Sequence, residues 1–330
     1  MATFLALSLS LLPSLAVFQA SRSTVAKITA VFKHTSFVAV LFCFSFTAKG
    51  AVYPMPQVGN DTIGQNFTVT VQHGDSSTTI RQRYEVSLVE LIAANPNINF
   101  NRLIVGQTIL IPRKHILPEY RHGIVINAPE LRLYYFSPDG CCVYTYPIGL
   151  GRMNWRTPIA ATKIVRKQYL PTWYVPNSIR DYMYAAHGKL LPDAVPPGPE
   201  NPLGEYAFYL EKRGYLIHGT NDQDTVGTFA SSGCMRMQSE PIEKLYQLVA
   251  IGTPVFIIHH PIKAGWHNNV LYLESHSPVK GYGEQNELDH EDVNTAINRA
   301  IANRYARVDW PKVTTVIQAY TGVPTPVGAP

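Results

Sequence analysis

The run Ser231-Ser232-Gly233-Cys234-Met235-Arg236, preceded by His218-Gly219-Thr220, decides how this chain is read. It brings together a thiol, an imidazole and a guanidinium. A free thiol is mostly protonated near neutral pH, so a reactive one needs a neighbouring base or cation. His218 is placed to be the base. It ends the apolar run Tyr215-Leu216-Ile217, which reads as a strand, and Gly219 lets the backbone turn sharply beside the imidazole. Gly233 removes a side chain where a carbonyl must approach, and it allows main-chain N–H groups around Cys234 to converge as an oxyanion hole. Ser231 is placed to hydrogen-bond across the same loop. Arg236 can stabilise a thiolate, bind a substrate carboxylate or form a structural ion pair. These residue types point to acyl transfer through a thioester, with Cys234, His218, Gly219 and Gly233 as the catalytic set.

The combination His-Gly-Thr and Ser-x-Gly-Cys-x-Arg resembles the signature of the YkuD-type L,D-transpeptidases, cysteine enzymes that remodel bacterial peptidoglycan. The resemblance spans residues 122 to 262. It includes Gly123-Ile124-Val125-Ile126-Asn127, Leu131-Arg132-Leu133-Tyr134-Tyr135-Phe136, Pro147-Ile148-Gly149-Leu150-Gly151 and Thr157-Pro158. Pro171-Thr172-Trp173 and the stretch from Pro192 to Gly204 are similar to the Gram-negative subgroup that includes the enzymes attaching Braun-type lipoprotein to the wall. Many family members carry His directly before the Gly-Cys pair. This chain has Ser232 there, so any role of that His does not carry over.

The resemblance implies a mainly-β catalytic domain and attack by Cys234 on the L-centre carbonyl of a tetrapeptide stem, with D-alanine leaving. It also implies that the Gly219 carbonyl orients the imidazole. Arg236, Ser231, Thr220 and Trp173 are the expected substrate contacts, and the stretch from Pro192 to Gly204 is the expected lid or channel wall. The acceptor is another stem peptide or a lysine of an outer-membrane lipoprotein. A hydrolase using the same Cys-His pair, and a wall-binding protein without catalysis, are the competing functions.

Upstream, residues 66 to 113 form a second unit. Phe67-Thr68-Val69-Thr70-Val71 reads as a strand, and Ile80, Tyr84, Val86, Leu88, Leu91 and Ile92 recur at helical spacing. Asn95-Pro96-Asn97 ends the second of two short helices, and residues 102–112 supply a turn and a returning strand. This strand-helix-helix-strand order resembles a LysM domain, which implies binding of peptidoglycan or chitin glycan. By that resemblance the sugar contacts lie near Gly74 to Ser76 and Asn95 to Asn97.

With 330 residues, 46% hydrophobic and 15% charged, the chain is long enough for two or three cored units. A net charge of +5 without a basic cluster gives no footing for nucleic-acid binding. His259-His260 lacks the spaced partners of a zinc site, and no cofactor or metal is expected. Residues 1–50 read as a signal region: Lys27, Lys33 and His34 precede an apolar run from Ser36 to Phe46, and Ala48-Lys49-Gly50 is a small-x-small cleavage site. An earlier apolar run from Phe4 to Phe18 suggests a translation start further along, and an uncleaved anchor is the alternative to cleavage. Export to the periplasm follows. Cys43 leaves with the signal, so Cys141, Cys142 and Cys234 remain, an odd count that suits a free nucleophile. Cys141 and Cys142 fall in a hairpin turn after Asp139-Gly140.

Residues 263–330 are expected to form a C-terminal extension. One strand covers residues 270–276. One helix carries Val293, Ile297, Ile301 and Tyr305 with Asp289 near its start, and a second begins at Pro311 with Val313, Val316, Ile317 and Tyr320 on one face. Pro324-Thr325-Pro326 is expected to be a mobile tail.

Overall fold

The computed structural model describes residues 52–279 and 290–330, so the expected signal segment and Asp289 lie outside the described residues. Among these residues, no helix is long and apolar enough to cross a membrane.

The catalytic unit is built on a nine-stranded sheet. Its order is Val52–Pro54, Cys142–Pro147, Arg132–Phe136, Gly123–Asn127, Pro254–Ile258, Ala160–Tyr169, Tyr206–Leu210, Leu216–His218 and Met235–Arg236. Two neighbour pairs run parallel, Pro254–Ile258 with Gly123–Asn127 and Leu216–His218 with Met235–Arg236. The first edge strand, Val52–Pro54, comes from the segment before the LysM-like unit, so the chain enters this sheet before that unit begins. Apolar residues on one face of these strands, among them Ile124, Ile126, Leu133, Phe208, Ile217 and Met235, form the largest core.

The upstream unit has the expected order. Strand Phe67–Thr70 pairs antiparallel with Thr108–Ile111, and helices α1 (Ser77–Tyr84) and α2 (Leu88–Ala94) lie between them in sequence. Both helices begin with a capping box, Ser76 with Thr79 and Ser87 with Glu90, which satisfies the first free N–H groups of these short helices. Val71, Ile80, Val86, Leu91, Phe100, Ile109 and Ile111 close a small separate core. Ile92, counted in the helical pattern, points to solvent at 48% exposure. Asn95 is buried: its side-chain amide donates to the carbonyls of Leu91 and Leu110 and accepts from Leu110 N–H. Its polar atoms join helix to strand, so the exposed Gly74, Ser76 and Asn97 are what those two loops offer to a ligand.

An insertion departs from the main sheet after Tyr169. Strands Trp173–Tyr174 and Ala194–Val195 pair, and helix α3 (Asn177–His187), absent from the sequence expectation, lies between them. After strand Met235–Arg236, helix α4 (Ser239–Leu248) buries Pro241, Ile242 and Leu245.

The C-terminal extension is helical as expected but also carries its own four-stranded sheet, Ile262–His267, Val270–Ser275, Thr325–Ala329 and Arg307–Val308. Helices α5 (His290–Ile301) and α6 (Trp310–Ala319) pack on it through Val293, Ile297, Val313 and Val316. Tyr305 lies beyond α5 and is 75% exposed. The expected mobile tail is instead an interior strand: Thr325–Ala329 pairs on both sides, and Val327 is buried. The two prolines obscured it, because proline usually marks a loop, yet Val327 supplies the inward contact. A buried charge cluster joins this extension to the catalytic sheet. The Lys263 ammonium lies 2.7 Å from Glu130 and 2.9 Å from Glu274, and His276 bonds Glu274 at 2.8 Å.

Candidate active site

The register of the last two strands sets the site. Ile217 lies opposite Met235 and His218 opposite Arg236. Ile217 and Met235 are both fully buried in the main core, so pleat alternation turns Leu216, His218 and Arg236 to the other face. Cys234 lies in the bend just before Met235, with its thiol within reach of the Leu216 main chain and the Gly214 carbonyl.

His218 is buried, and its Nδ1 lies 2.6 Å from the Gly219 carbonyl. That contact makes Nδ1 the N–H donor and leaves Nε2 as the basic nitrogen. Burial lowers the imidazole to about 4, with Arg236 adding to the shift and main-chain hydrogen bonds to Gly219 and Leu203 opposing it. Cys234 is half-buried and free. Burial pushes its thiol up, while a hydrogen bond to the Leu216 main chain and the charge of Arg236 pull it back. At rest the thiol donates to the Gly214 carbonyl at 3.7 Å. Both shifts favour the uncharged forms.

The Cys234 loop is held from beneath. Ser231 accepts from Gly233 N–H at 3.1 Å and donates to the Cys234 carbonyl at 2.5 Å. Ser231 is buried under the loop, which makes it a loop-closing residue rather than an exposed contact. Thr157, also buried, accepts from Gly151 N–H at 3.0 Å and donates to the Gly233 carbonyl at 2.8 Å. Because a peptide unit is planar and trans, fixing the Gly233 carbonyl toward Thr157 turns the Cys234 N–H the opposite way. That N–H is the main-chain donor this loop can offer to an oxyanion, since Gly233 N–H is already bonded to Ser231. Gly233 has φ +110, and an added Cβ would lie 3.1 Å from the Tyr215 ring, so no other residue fits without strain.

Arg236 is half-buried, its Nε has no partner, and Asp222 is the leading charge that stabilises it. Arg152 sits near it. The Arg152 main-chain N–H donates to the Ser231 carbonyl at 3.0 Å, and its guanidinium lies 4.7 Å from the Tyr182 ring and 5.7 Å from the Trp155 ring. Tyr182 belongs to α3, and its ring packs edge-on against Trp155 at 6.0 Å. The inserted helix therefore reaches the loop that backs Gly233. Thr220 is buried, with its hydroxyl in a turn bonded to Asp222 N–H at 3.0 Å and the Asp222 carbonyl at 3.2 Å. Trp173 is half-buried on the insertion's own hairpin, opposite Val195.

The stretch from Pro192 to Gly204 packs against His218 and Gly219. Fully buried Asn201 donates to the Pro171, Val195 and Pro196 carbonyls and accepts from Leu203 N–H. Gly204 then passes so close to Gly219-Thr220 that a Cβ there would lie 2.8 Å from Thr220 N. Thr157, Arg152, Trp155, Asn201 and Tyr182 received no role from sequence. Thr157 stood in a quoted pair, but no spacing rule ties it to a carbonyl on a distant loop.

Among the described residues, His115, Glu130 and Glu274 bring donor atoms within 4.8 Å of one another, and the Lys263 ammonium bonds both carboxylates. That cluster is distinct from the Cys234 site. Cys141 and Cys142 tip the hairpin between Arg132–Phe136 and Cys142–Pro147, free and with sulfurs 2.7 Å apart.

Comparison with known proteins matches residues 121–257 to the L,D-transpeptidase catalytic domain, YkuD, and residues 69–112 to the LysM domain. The probable L,D-transpeptidase ErfK/SrfK of Escherichia coli is 36% identical over 300 residues, covering 88% of this chain and 95% of the relative. The probable L,D-transpeptidase YbiS of the same organism is 39% identical over 250 residues, covering 74% and 80%. YcfS, a third probable L,D-transpeptidase from that organism, is 35% identical over 298 residues, covering 88% and 92%. The chain belongs to the YkuD-type L,D-transpeptidases, in the Gram-negative subgroup of ErfK/SrfK, YbiS and YcfS, as an acyltransferase with a LysM domain.

Proposed function

We propose that Cys234 is the nucleophile of an L,D-transpeptidase acting on peptidoglycan tetrapeptide stems in the periplasm, with His218 as its general base. The observation that carries this is a free thiol on a restrained loop that leads into the strand paired with the one ending at His218, whose Nδ1 is bonded to the Gly219 carbonyl at 2.6 Å. Nε2 takes the thiol proton as sulfur attacks the L-centre carbonyl of the diacidic third residue. The Cys234 N–H holds the oxyanion, the bond to D-alanine breaks, and the His218 proton goes to the departing amine. An acceptor amine, deprotonated by the same imidazole, then attacks the thioester, forms the new amide and returns the sulfur. A thioester favours this second step because it yields to amines more readily than an ester does.

Arg236, half-buried with an unpartnered Nε, suits a carboxylate of the stem. Trp173 and the Asn201-anchored stretch wall the acceptor side, and the exposed Gly74, Ser76 and Asn97 meet glycan. The product is a cross-link between two stems or a wall-attached lipoprotein. Purified protein is incubated with tetrapeptide-bearing wall fragments, with and without an amine acceptor, and the products are weighed by mass spectrometry. Release of D-alanine with formation of the amine adduct is expected. Release without adduct would make it a carboxypeptidase, and no release would refute the assignment.

A further inference from the structure

We propose that the LysM module is a working part of the catalytic centre, with Arg81 a positioning residue that holds the loop joining His218 to Cys234. This rests on the assignment of those two residues given above. The loop runs from Thr220 to Thr228. Its ends are tied within the catalytic unit: Gln223 donates to the Thr220 carbonyl at 2.8 Å and to Ser239 Oγ at 2.9 Å, and the Thr228 carbonyl accepts from Leu150 N–H at 2.9 Å. Its middle is held by the LysM unit. Arg81 Nη2 bonds Asp224 at 2.8 Å, Arg81 Nη1 reaches the Val226 carbonyl at 3.4 Å, and Thr78 Oγ1 donates to Asp224 at 3.0 Å.

The surfaces meet without slack. A Cβ on Gly227, where φ is +75, would lie 2.4 Å from the Ser87 Cβ. The module itself is pinned by a bidentate pair, Arg132 Nε to Glu90 Oε1 at 2.8 Å and Arg132 Nη2 to Glu90 Oε2 at 2.9 Å, both side chains buried. A restrained fork of this kind transmits position, because guanidinium and carboxylate are locked in plane. Arg81 is also buried to 7% side-chain exposure while Asp224 is open at 68%, so the rigid partner is the module and the guided partner is the loop. The loop also backs Arg236: a Cβ on Gly149 would lie 2.5 Å from the Thr225 carbonyl oxygen, and Gly149 and Arg236 exchange main-chain hydrogen bonds at 2.8 and 2.9 Å. Moving Asp224 therefore shifts the support under Arg236, two residues beyond Cys234. Arg81 shares its eight-residue helix with the cap Ser76, one of the positions offered to glycan, so wall engagement and acylation meet on one element.

The test is acylation of full-length protein by a carbapenem, followed by intact mass and stopped-flow fluorescence across pH, alongside thermal unfolding. Arg81→Met and Asp224→Asn are each expected to lower the maximal acylation rate about fivefold to tenfold, within the usual range of a coupling between sites. The carbapenem concentration for half-maximal rate should stay constant. The double variant should be no slower than Arg81→Met alone, and Arg81→Lys should recover part of the rate. Asp224 is exposed and its replacement leaves packing intact, so Asp224→Asn decides the matter if Arg81→Met does not fold. Wild-type rate and pH profile in folded Asp224→Asn, or effects that simply multiply in the double variant, overturn the brace. Absence of any Cys234 adduct on the wild type refutes the nucleophile assignment instead, an outcome separate from wild-type speed in the variants.

Discussion

If the resting site holds a neutral thiol and a neutral imidazole, thiol alkylation and acylation must respond to pH over different ranges. Burial lowers His218 to about 4 and raises Cys234 above its ordinary 9.0. Moving the proton from sulfur to Nε2 thus crosses a gap of at least about five pKa units, roughly 7 kcal/mol at 1.36 kcal/mol each. Attraction between the resulting charges returns about 4 kcal/mol at ~4 Å and an effective dielectric of ~20. The neutral pair wins by about 3 kcal/mol. Thiolate at pH 7 then stays below about 1%, and the proton leaves sulfur only as the carbonyl is attacked. Alkylation of Cys234 by iodoacetamide, which reads thiolate, should rest on a low floor below about pH 7 and climb steeply from there to pH 9. Acylation by a carbapenem, which uses the base, should be flat from about pH 5 to 8 and fall through about 4 as His218 protonates. His218→Ala should slow acylation about a hundredfold or more while leaving alkylation at pH 9 within a few-fold of wild type. An alkylation rate between pH 5 and 8 equal to that at pH 9 would refute the reasoning, because it would reveal a predominant thiolate–imidazolium pair.

Four further outcomes follow from the same geometry. Thr157→Val keeps shape but leaves the buried Gly233 carbonyl without its donor, which should lower stability by about 1–3 kcal/mol in urea unfolding and slow acylation; unchanged acylation would show that the Cys234 N–H is not oriented this way. Glu90→Ala strands the fully buried Arg132 guanidinium and should cost about 3–5 kcal/mol in urea unfolding; an unchanged urea midpoint would contradict this. Acid should destabilise the protein through His218, whose folded value of about 4 lies below its ordinary 6.5: the unfolded chain binds the extra proton, so stability is complete above pH 6.5 and falls as pH drops toward 4, by about 3 kcal/mol. Buried His115, whose pKa is also well lowered by burial, adds to the loss in the same direction, and flat urea midpoints over that window would disprove it. Cys234→Ala should fold normally and take up no carbapenem; an adduct on Cys141 would show that the reactive thiol lies elsewhere, although Cys142 beside it holds that thiol up at about 11.

What the sequence made legible was what depends on local pattern. The strand ending at His218, the two capped helices of the LysM unit, the catalytic β-rich unit and the helix opening at Pro311 all follow from periodicity, turn chemistry and motif spacing. Tyr305 was assigned to α5 because its spacing continued the stripe, but the helix stops at Ile301 and leaves the ring in solvent. Pairing partners were not legible. Val52–Pro54 and Thr325–Ala329 have too few apolar residues to announce themselves, and each is fixed as a strand by neighbours from elsewhere in the chain. Helix α3 has no buried residues among its eleven, so it presents no apolar stripe tied to a core. Thr157 and Asn201 escaped notice for a related reason: their importance lies in one carbonyl, or three, that only the folded backbone brings within reach.

The same limit explains why the LysM unit looked like a detachable module. Its strand-helix-helix-strand order closes a core of its own, and nothing in residues 66 to 113 marks Arg81 and Glu90 as anything but helix-surface charges. Their partners, Asp224 and Arg132, lie in the catalytic unit and in turn resemble solvated charges. A fully buried guanidinium is tolerated only where its carboxylate is supplied in fixed geometry, because an unpaired buried charge costs several kcal/mol. Arg132 therefore requires Glu90 wherever the two units are packed together, so this pair ties the LysM unit to the catalytic sheet. The second contact, Arg81 with Asp224, lies on the loop between His218 and Cys234, so the residues that join the two units also border the candidate site. On the proposed assignment, the surface that meets glycan and the loop leading to the thiol share one frame, and the stem peptide reaches Cys234 from a wall strand whose position the protein has already fixed.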